Sequence, residues 1–157
     1  MTAEPRWLNE KEQAFWRLLL DTVRKLDLVV EASLLDSADL SSPEFSVLVT
    51  LSEADNHCLR LRDLCTELTW DRSRASHQIT RMERRGLVTK EKSPGDGRGV
   101  VVCLTDLGME RLKAAVPDHV ETVRRVVFDD LDYDDIPVIR GFFEGIMSSD
   151  EVKALGT

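Results

Sequence analysis

The chain has 157 residues, 42% of them apolar, and 29 acids against 21 Lys and Arg give a formal charge of −8. That is one ordinary domain's length with a real core, and 32% charged residues with only three Trp, five Phe and one Tyr point to helix rather than a β-sandwich. The longest unbroken apolar run, Val100 to Leu104, is too short for a transmembrane helix, and Met1-Thr2-Ala3-Glu4-Pro5 lacks the basic start and apolar stretch of a secretory signal, so a cytoplasmic protein with no membrane partner is expected.

From about Asn9 to Leu35, apolar residues recur at helical spacing (Trp16, Leu19, Leu20, Val23, Leu26, Val30, Leu34) with no Pro or Gly between them. A helix of that length runs roughly 40 Å, more than a domain of this size can cover by itself. Ser42 is read as the N-cap of a second helix, with Pro43 at its first position and Phe45, Leu48 and Leu51 facing inward to about Asn56. Cys58-Leu59-Arg60 is extended. A third helix then places Leu61, Leu64, Cys65 and Leu68 on one face, and Asp71 caps a fourth, Arg72 to Arg85, that turns Ala75, Ile79 and Met82 inward before Gly86. Two short amphipathic helices joined tightly in under thirty residues make a helix-turn-helix.

The period then changes to that of strands. Leu87 to Lys92 and Gly99 to Leu104 flank Ser93-Pro94-Gly95-Asp96-Gly97, turn chemistry that makes the pair a hairpin, or wing. Thr105 caps a long helix to about Phe128, where Pro117 is expected to introduce a kink. The acidic run Asp129 to Asp135 leads into a last helix, Ile136 to about Met147. The fold class is therefore mainly α with a small β-hairpin wing.

Charge is unevenly placed along this order. Asn56 to Thr105 holds ten basic residues against six acids, a local +4 that leaves −12 on the remainder. A basic middle between acidic flanks suits one surface for a polyanion.

Two stretches carry a family resemblance. Asp96-Gly97-Arg98-Gly99-Val100-Val101-Val102-Cys103-Leu104-Thr105-Asp106-Leu107-Gly108 resembles the wing pattern of the MarR family of bacterial winged-helix regulators. Ile79-Thr80-Arg81-Met82-Glu83-Arg84-Arg85-Gly86-Leu87-Val88 is similar to the end of that family's recognition helix. The resemblance implies a single domain over 1–157, with a winged helix-turn-helix over 40–105 and a helical dimerisation region in 1–36 and 106–157. It also implies a homodimer with intertwined first, fifth and sixth helices, and release from DNA by a small aromatic ligand or, in other members, by thiol oxidation. Two positions depart from the family pattern: His77 stands where a contact residue such as Arg is frequent, and Cys103 where the wing is often basic.

A major-groove helix reads bases with its N-terminal residues and anchors on phosphates at its flanks. Arg72, Ser76 and His77 are the candidate base readers, with Ser73 on the same face, and Arg74 and Arg81 are candidate phosphate contacts. Arg98, between glycines at the wing tip, suits the minor groove, and Asp96 is the natural residue to orient it.

For sensing, Trp16 and His119 are the candidate lining of a ligand pocket, and Cys58 and Cys103 are candidate redox thiols. Cys65 falls on an apolar helix face and reads as structural. The odd, irregularly spaced cysteines do not form a disulfide framework. No cofactor or metal is expected, since no His, Cys or acid set has ligand spacing, and no catalytic constellation is present. The sequence therefore points to a dimeric regulator that binds a pseudo-palindromic operator in double-stranded DNA, a repressor released by a small molecule. The alternatives are a thiol-based redox regulator and a winged-helix adaptor that binds protein instead of DNA.

Overall fold

A computed structural model describes residues 4–95 and 97–156; the expectation for Asp96 lies outside them. Helix α1 spans Glu10–Ala38, opened by a capping box in which the Asn9 side chain and Glu12 satisfy each other's backbone N–H. Helix α2 spans Ser42–Glu53, and its N-cap is Ser41 rather than Ser42. The reason is Glu44: counted from Ser41 it stands at the third helical position, where its carboxylate accepts from the Ser41 N–H at 2.9 Å and completes a second capping box. Pro43 is consequently one position deeper than the sequence suggested.

Strand β1 (Cys58–Arg60) leads directly into α3 (Leu61–Leu68), and α4 (Arg72–Arg84) follows after Asp71, whose carboxylate accepts from the Arg74 N–H at 2.9 Å. Gly86 ends this unit at φ 73°, left-handed geometry that a side chain disfavours. Strands β2 (Val88–Lys92) and β3 (Val100–Leu104) form the wing, and β1 adds to it, giving an antiparallel sheet in the order β1-β3-β2. Helix α5 covers Asp106–Val123 and stays helical through Pro117. The departure from α geometry comes later than expected, as a π-helical turn over Arg124–Phe128. Helix α6 (Ile136–Met147), a short α7 (Asp150–Lys153) and a 3-10 turn (Ala154–Gly156) complete the described chain.

One core lies between the end of α1, α2, α3, α4, the sheet and the start of α5. Leu34, Leu40, Val47, Leu48, Leu51, Leu64, Ile79, Met82 and Val102 are all fully buried there. Ala75, Ile79 and Met82 are the inward face of α4, as their spacing required. Outside the core, apolar surface is abundant. No residue of α6 is buried, and Phe142, Phe143 and Ile146 are exposed together with Phe15, Trp16, Leu18 and Val23 on α1. Among the described residues no helix is long and apolar enough to cross a membrane.

Candidate nucleic-acid interface

Burial of Ala75, Ile79 and Met82 turns the opposite face of α4 to solvent. Arg72, Ser73, Arg74, Ser76, His77 and Arg81 are all exposed on it, in one row from the capped N-terminus. The positive N-terminal end of the helix dipole adds to that row, with the Asp71 cap on the Arg74 N–H partly offsetting it. Arg74 is more constrained than the others, its guanidinium standing 4.5 Å above the Trp70 ring. Thr80 is half-buried and turned back on the fold, donating to the Ser76 carbonyl at 2.9 Å and accepting from Lys90 at 3.2 Å.

The helix is held by its far end. Arg85 Nη1 donates to both carboxylate oxygens of buried Glu44 at 2.8 Å, while Nη2 donates to the carbonyl and carboxylate of Asp39 at 2.7 and 3.0 Å. The exit from α4 is fixed to α5 by Thr105, whose hydroxyl donates to the carbonyls of Gly86 at 2.6 Å and Leu87 at 3.0 Å and accepts from the Gly108 N–H at 3.0 Å. Gly108 lies so close that a Cβ there would stand 2.2 Å from the Leu87 oxygen. The Leu-Thr-x-x-Gly part of the wing pattern thus has a physical cause: a hydroxyl clamp and a backbone contact that leaves no room for a side chain.

These contacts revise the charge count. Arg85 is a strut whose guanidinium is committed to Glu44 and Asp39, and Lys90 pairs with Glu83 on α4, its Nζ 3.5 Å from that carboxylate while its backbone N–H donates to it at 2.9 Å. Both charges are thus already partnered within the fold. Two residues the motif reading did not select take their place. Arg60 and Arg62 are exposed beside the start of α3 and share one pocket with Arg72 and Arg98. The arginine at every second position across a strand-to-helix junction was the available signal. Arg98 is exposed on the wing between Gly97 and Gly99.

The sensing residues fall in different places. His119 lies against Phe45, ring centroids 4.6 Å apart, and its Nδ1 is buried without a hydrogen-bond partner. That burial holds its pKa below the usual histidine value. It lines an apolar cleft of about 330 Å³ with Val120, Val123, Phe128 and Tyr133. Trp16 is not part of that cleft within one chain; it is half-exposed on the first half of α1.

The cysteines depart from expectation most clearly. Cys58 and Cys103 are joined by a disulfide, so Cys103 is not an exposed thiol and the three cysteines do include a bridge. The cause is register: β1 pairs with β3 so that Cys58 and Cys103 are direct cross-strand partners, with Cα atoms 4.2 Å apart. Cys65 is the free cysteine, and burial pushes its thiol pKa up, with Arg72 opposing.

Comparison with known proteins agrees with this geometry. The MarR family model matches residues 40–100. Two solved structures from Streptomyces coelicolor are similar over nearly the whole chain. Sco3205, a MarR family transcriptional regulator solved in complex with DNA, is 32% identical with a TM-score of 0.88, covering 96% of both chains. AbsC, another MarR family transcriptional regulator, is 37% identical with a TM-score of 0.85, covering 90% of this chain and 95% of its own. The HTH-type transcriptional regulator PecS of Dickeya dadantii (strain 3937) is 25% identical over 128 residues, 78% of this chain and 77% of PecS. These relatives are regulators, not enzymes, and the chain belongs to the MarR family of transcriptional regulators.

Proposed function

We propose that the protein is a homodimeric, sequence-specific DNA-binding repressor whose grip on its operator is released by a small molecule. The observation that carries DNA binding is the exposed row Arg72, Ser73, Ser76 and His77 at the capped start of α4, flanked by Arg98 on the wing. One element matches the width of a major groove, and the other suits the negative potential of a narrow minor groove. Binding of DNA by Sco3205, which shares the fold at 32% identity, supports the same use here. Dimerisation is supported by α6, a helix with no buried residue whose Phe142, Phe143 and Ile146 lie open alongside the exposed apolar side of α1. A contiguous apolar surface of that kind calls for a partner, and a second copy of the chain would bury like against like about a two-fold axis. The largely apolar cleft at His119 is the candidate ligand site, with Arg124 and Tyr133 as the polar side chains of its lining.

Sedimentation should give a dimer at micromolar concentration; a stable 17.8 kDa monomer would defeat the shared-helix arrangement. On the DNA upstream of its own gene, footprinting should find two half-sites whose centres lie about 10 bp apart. Arg72→Ala should lose discrimination at one base position per half-site, on the order of 1–3 kcal/mol. Arg98→Ala should weaken binding to all sequences and make the salt dependence shallower by about one contact per subunit. Wild-type affinity in both folded variants would refute the assignment of reading head and wing.

A further inference from the structure

The two reading elements are separated by a pocket that neither accounts for. Its volume is about 350 Å³, and its lining holds Arg60, Arg62, Arg72 and Arg98 together with the apolar Leu61 and Val100. No acid lines it among the described residues. Of the four, Arg62 is paired through its Nε with the half-exposed carboxylate of Asp63 at 3.2 Å. Half-buried Cys65 also borders the pocket, and its raised pKa keeps it a neutral thiol. Four guanidinium groups lining one concavity concentrate positive potential there, and the apolar residues between them strengthen their hold on an anion.

We infer that this pocket is a phosphate clamp for the DNA backbone, with Arg60 and Arg62 as contact residues of the interface. The inference rests on the DNA-binding function proposed above and deepens it. Arg72 opens α4, the element set for the major groove, and Arg98 stands on the wing, set for the adjacent minor groove. A sugar–phosphate strand separates any two neighbouring grooves. That strand must therefore cross between Arg72 and Arg98, where Arg60 and Arg62 face it from the β1–α3 junction. Guanidinium forks match phosphate oxygens bidentately, so the pocket fixes the depth and register at which both elements meet their grooves. A free phosphate ion presents the same chemistry and is the competing occupant.

The test compares wild type with Arg60→Ala/Arg62→Ala and Arg60→Lys/Arg62→Lys, both positions being exposed. Binding is measured over a salt series to the chain's own upstream DNA and to a mixed-sequence duplex, and inorganic phosphate is titrated into the free protein. The alanine pair should bind both duplexes more weakly by the same factor, with the log–log salt slope shallower by about 1.8 per subunit. The lysine pair should keep most of the slope and lose part of the affinity, because the charge remains and the fork does not. An unchanged slope in the folded alanine pair overturns the clamp, as does a loss confined to one base position. Millimolar phosphate binding that disappears in the alanine pair while its DNA binding stays at wild-type strength assigns the pocket to a free anion and overturns it too. If wild type binds neither duplex, the DNA-binding function itself fails; if wild type binds and the folded alanine pair binds as tightly with the same salt slope, the clamp alone is wrong.

Discussion

Removing the Arg85 side chain should destabilise the fold more than removing any other basic residue at the end of α4. Its four hydrogen bonds are not equal. The Asp39 carboxylate is 78% exposed, so that arm contributes little beyond the bond to the Asp39 carbonyl. Glu44 is 5% exposed, and both its oxygens accept from Arg85 Nη1. Without Arg85, the Glu44 Oε2 keeps the N–H and hydroxyl of Ser41, at 2.9 and 3.2 Å, while Oε1 loses its partner. A buried carboxylate left half-satisfied costs about 2–4 kcal/mol. At about 2–4 °C per kcal/mol for a chain of this size, Arg85→Ala should melt roughly 5–12 °C below wild type at equal protein concentration. Arg84→Ala, its exposed neighbour, should stay within about 0.5 kcal/mol. Adding Glu44→Gln to Arg85→Ala should recover part of the loss, because the amide oxygen still accepts from Ser41 and no charge is left buried. If calorimetry places Arg85→Ala within about 2 °C of wild type, Arg85 is not a strut and belongs again among the residues open to a polyanion.

Three further outcomes follow from the same contacts. Gly108→Ala puts a Cβ 2.2 Å from the Leu87 oxygen and 2.7 Å from the Leu104 side chain, so it should cost about 1–3 kcal/mol in denaturant melts, and a neutral result would refute the close contact. His119 has its pKa lowered by burial, so the unfolded chain takes up that proton first as pH falls; its contribution is complete above the unfolded value of about 6.5 and declines below it. Stability of wild type should therefore drop more steeply through that window than stability of His119→Phe, and equal slopes would refute the assignment. Reducing the Cys58–Cys103 bridge frees a loop with 45 residues of sequence separation and should lower stability by up to about 4 kcal/mol. Thiol titration should find one free cysteine before reduction and three after, and an unmoved melting point between those two states would refute a stabilising bridge.

What was legible in the sequence was whatever depends on neighbours along the chain. Helical spacing located the inward faces of α3 and α4, and the Asp71 and Thr105 caps needed only a side chain and the N–H three residues on. The N-cap of α2 slipped by one because Ser41 and Ser42 are chemically alike, and only the partner Glu44 decides between them. Contacts across the chain were not legible. Arg85 and Arg84 are adjacent identical residues, yet the ion pair to Glu44 spans 41 positions and makes the first structural. The disulfide requires knowing that β1 joins the wing and in which register, and three residues of β1 carry too little pattern to say so. The Arg60–Arg62–Arg72–Arg98 cluster likewise exists only once β1, α4 and the wing are folded together.

The placement of the anchors bears on how a signal would reach DNA. Arg85 fixes the C-terminal end of α4 to the end of α1 and the start of α2, and Thr105 fixes the exit from α4 to the start of α5. The readers lie at the other end of α4, held by the Asp71 cap and the stacking of Arg74 on Trp70. Helices α1 and α5 are joined to each other by the Ser33–Thr122 hydroxyl pair at 2.8 Å, and α5 carries His119 one turn away. Any shift of α5 against α1 at His119 would meet α4 at its C-terminus, where the bonds are short and one partner is buried. A helix about 20 Å long that turns about such an end moves its N-terminus most. The base readers then travel farther than any anchor, whereas Arg60, on the β1–α3 junction, does not ride on α4. Arg72 belongs to both sets, so the N-terminus of α4 is where base reading and the arginine pocket meet.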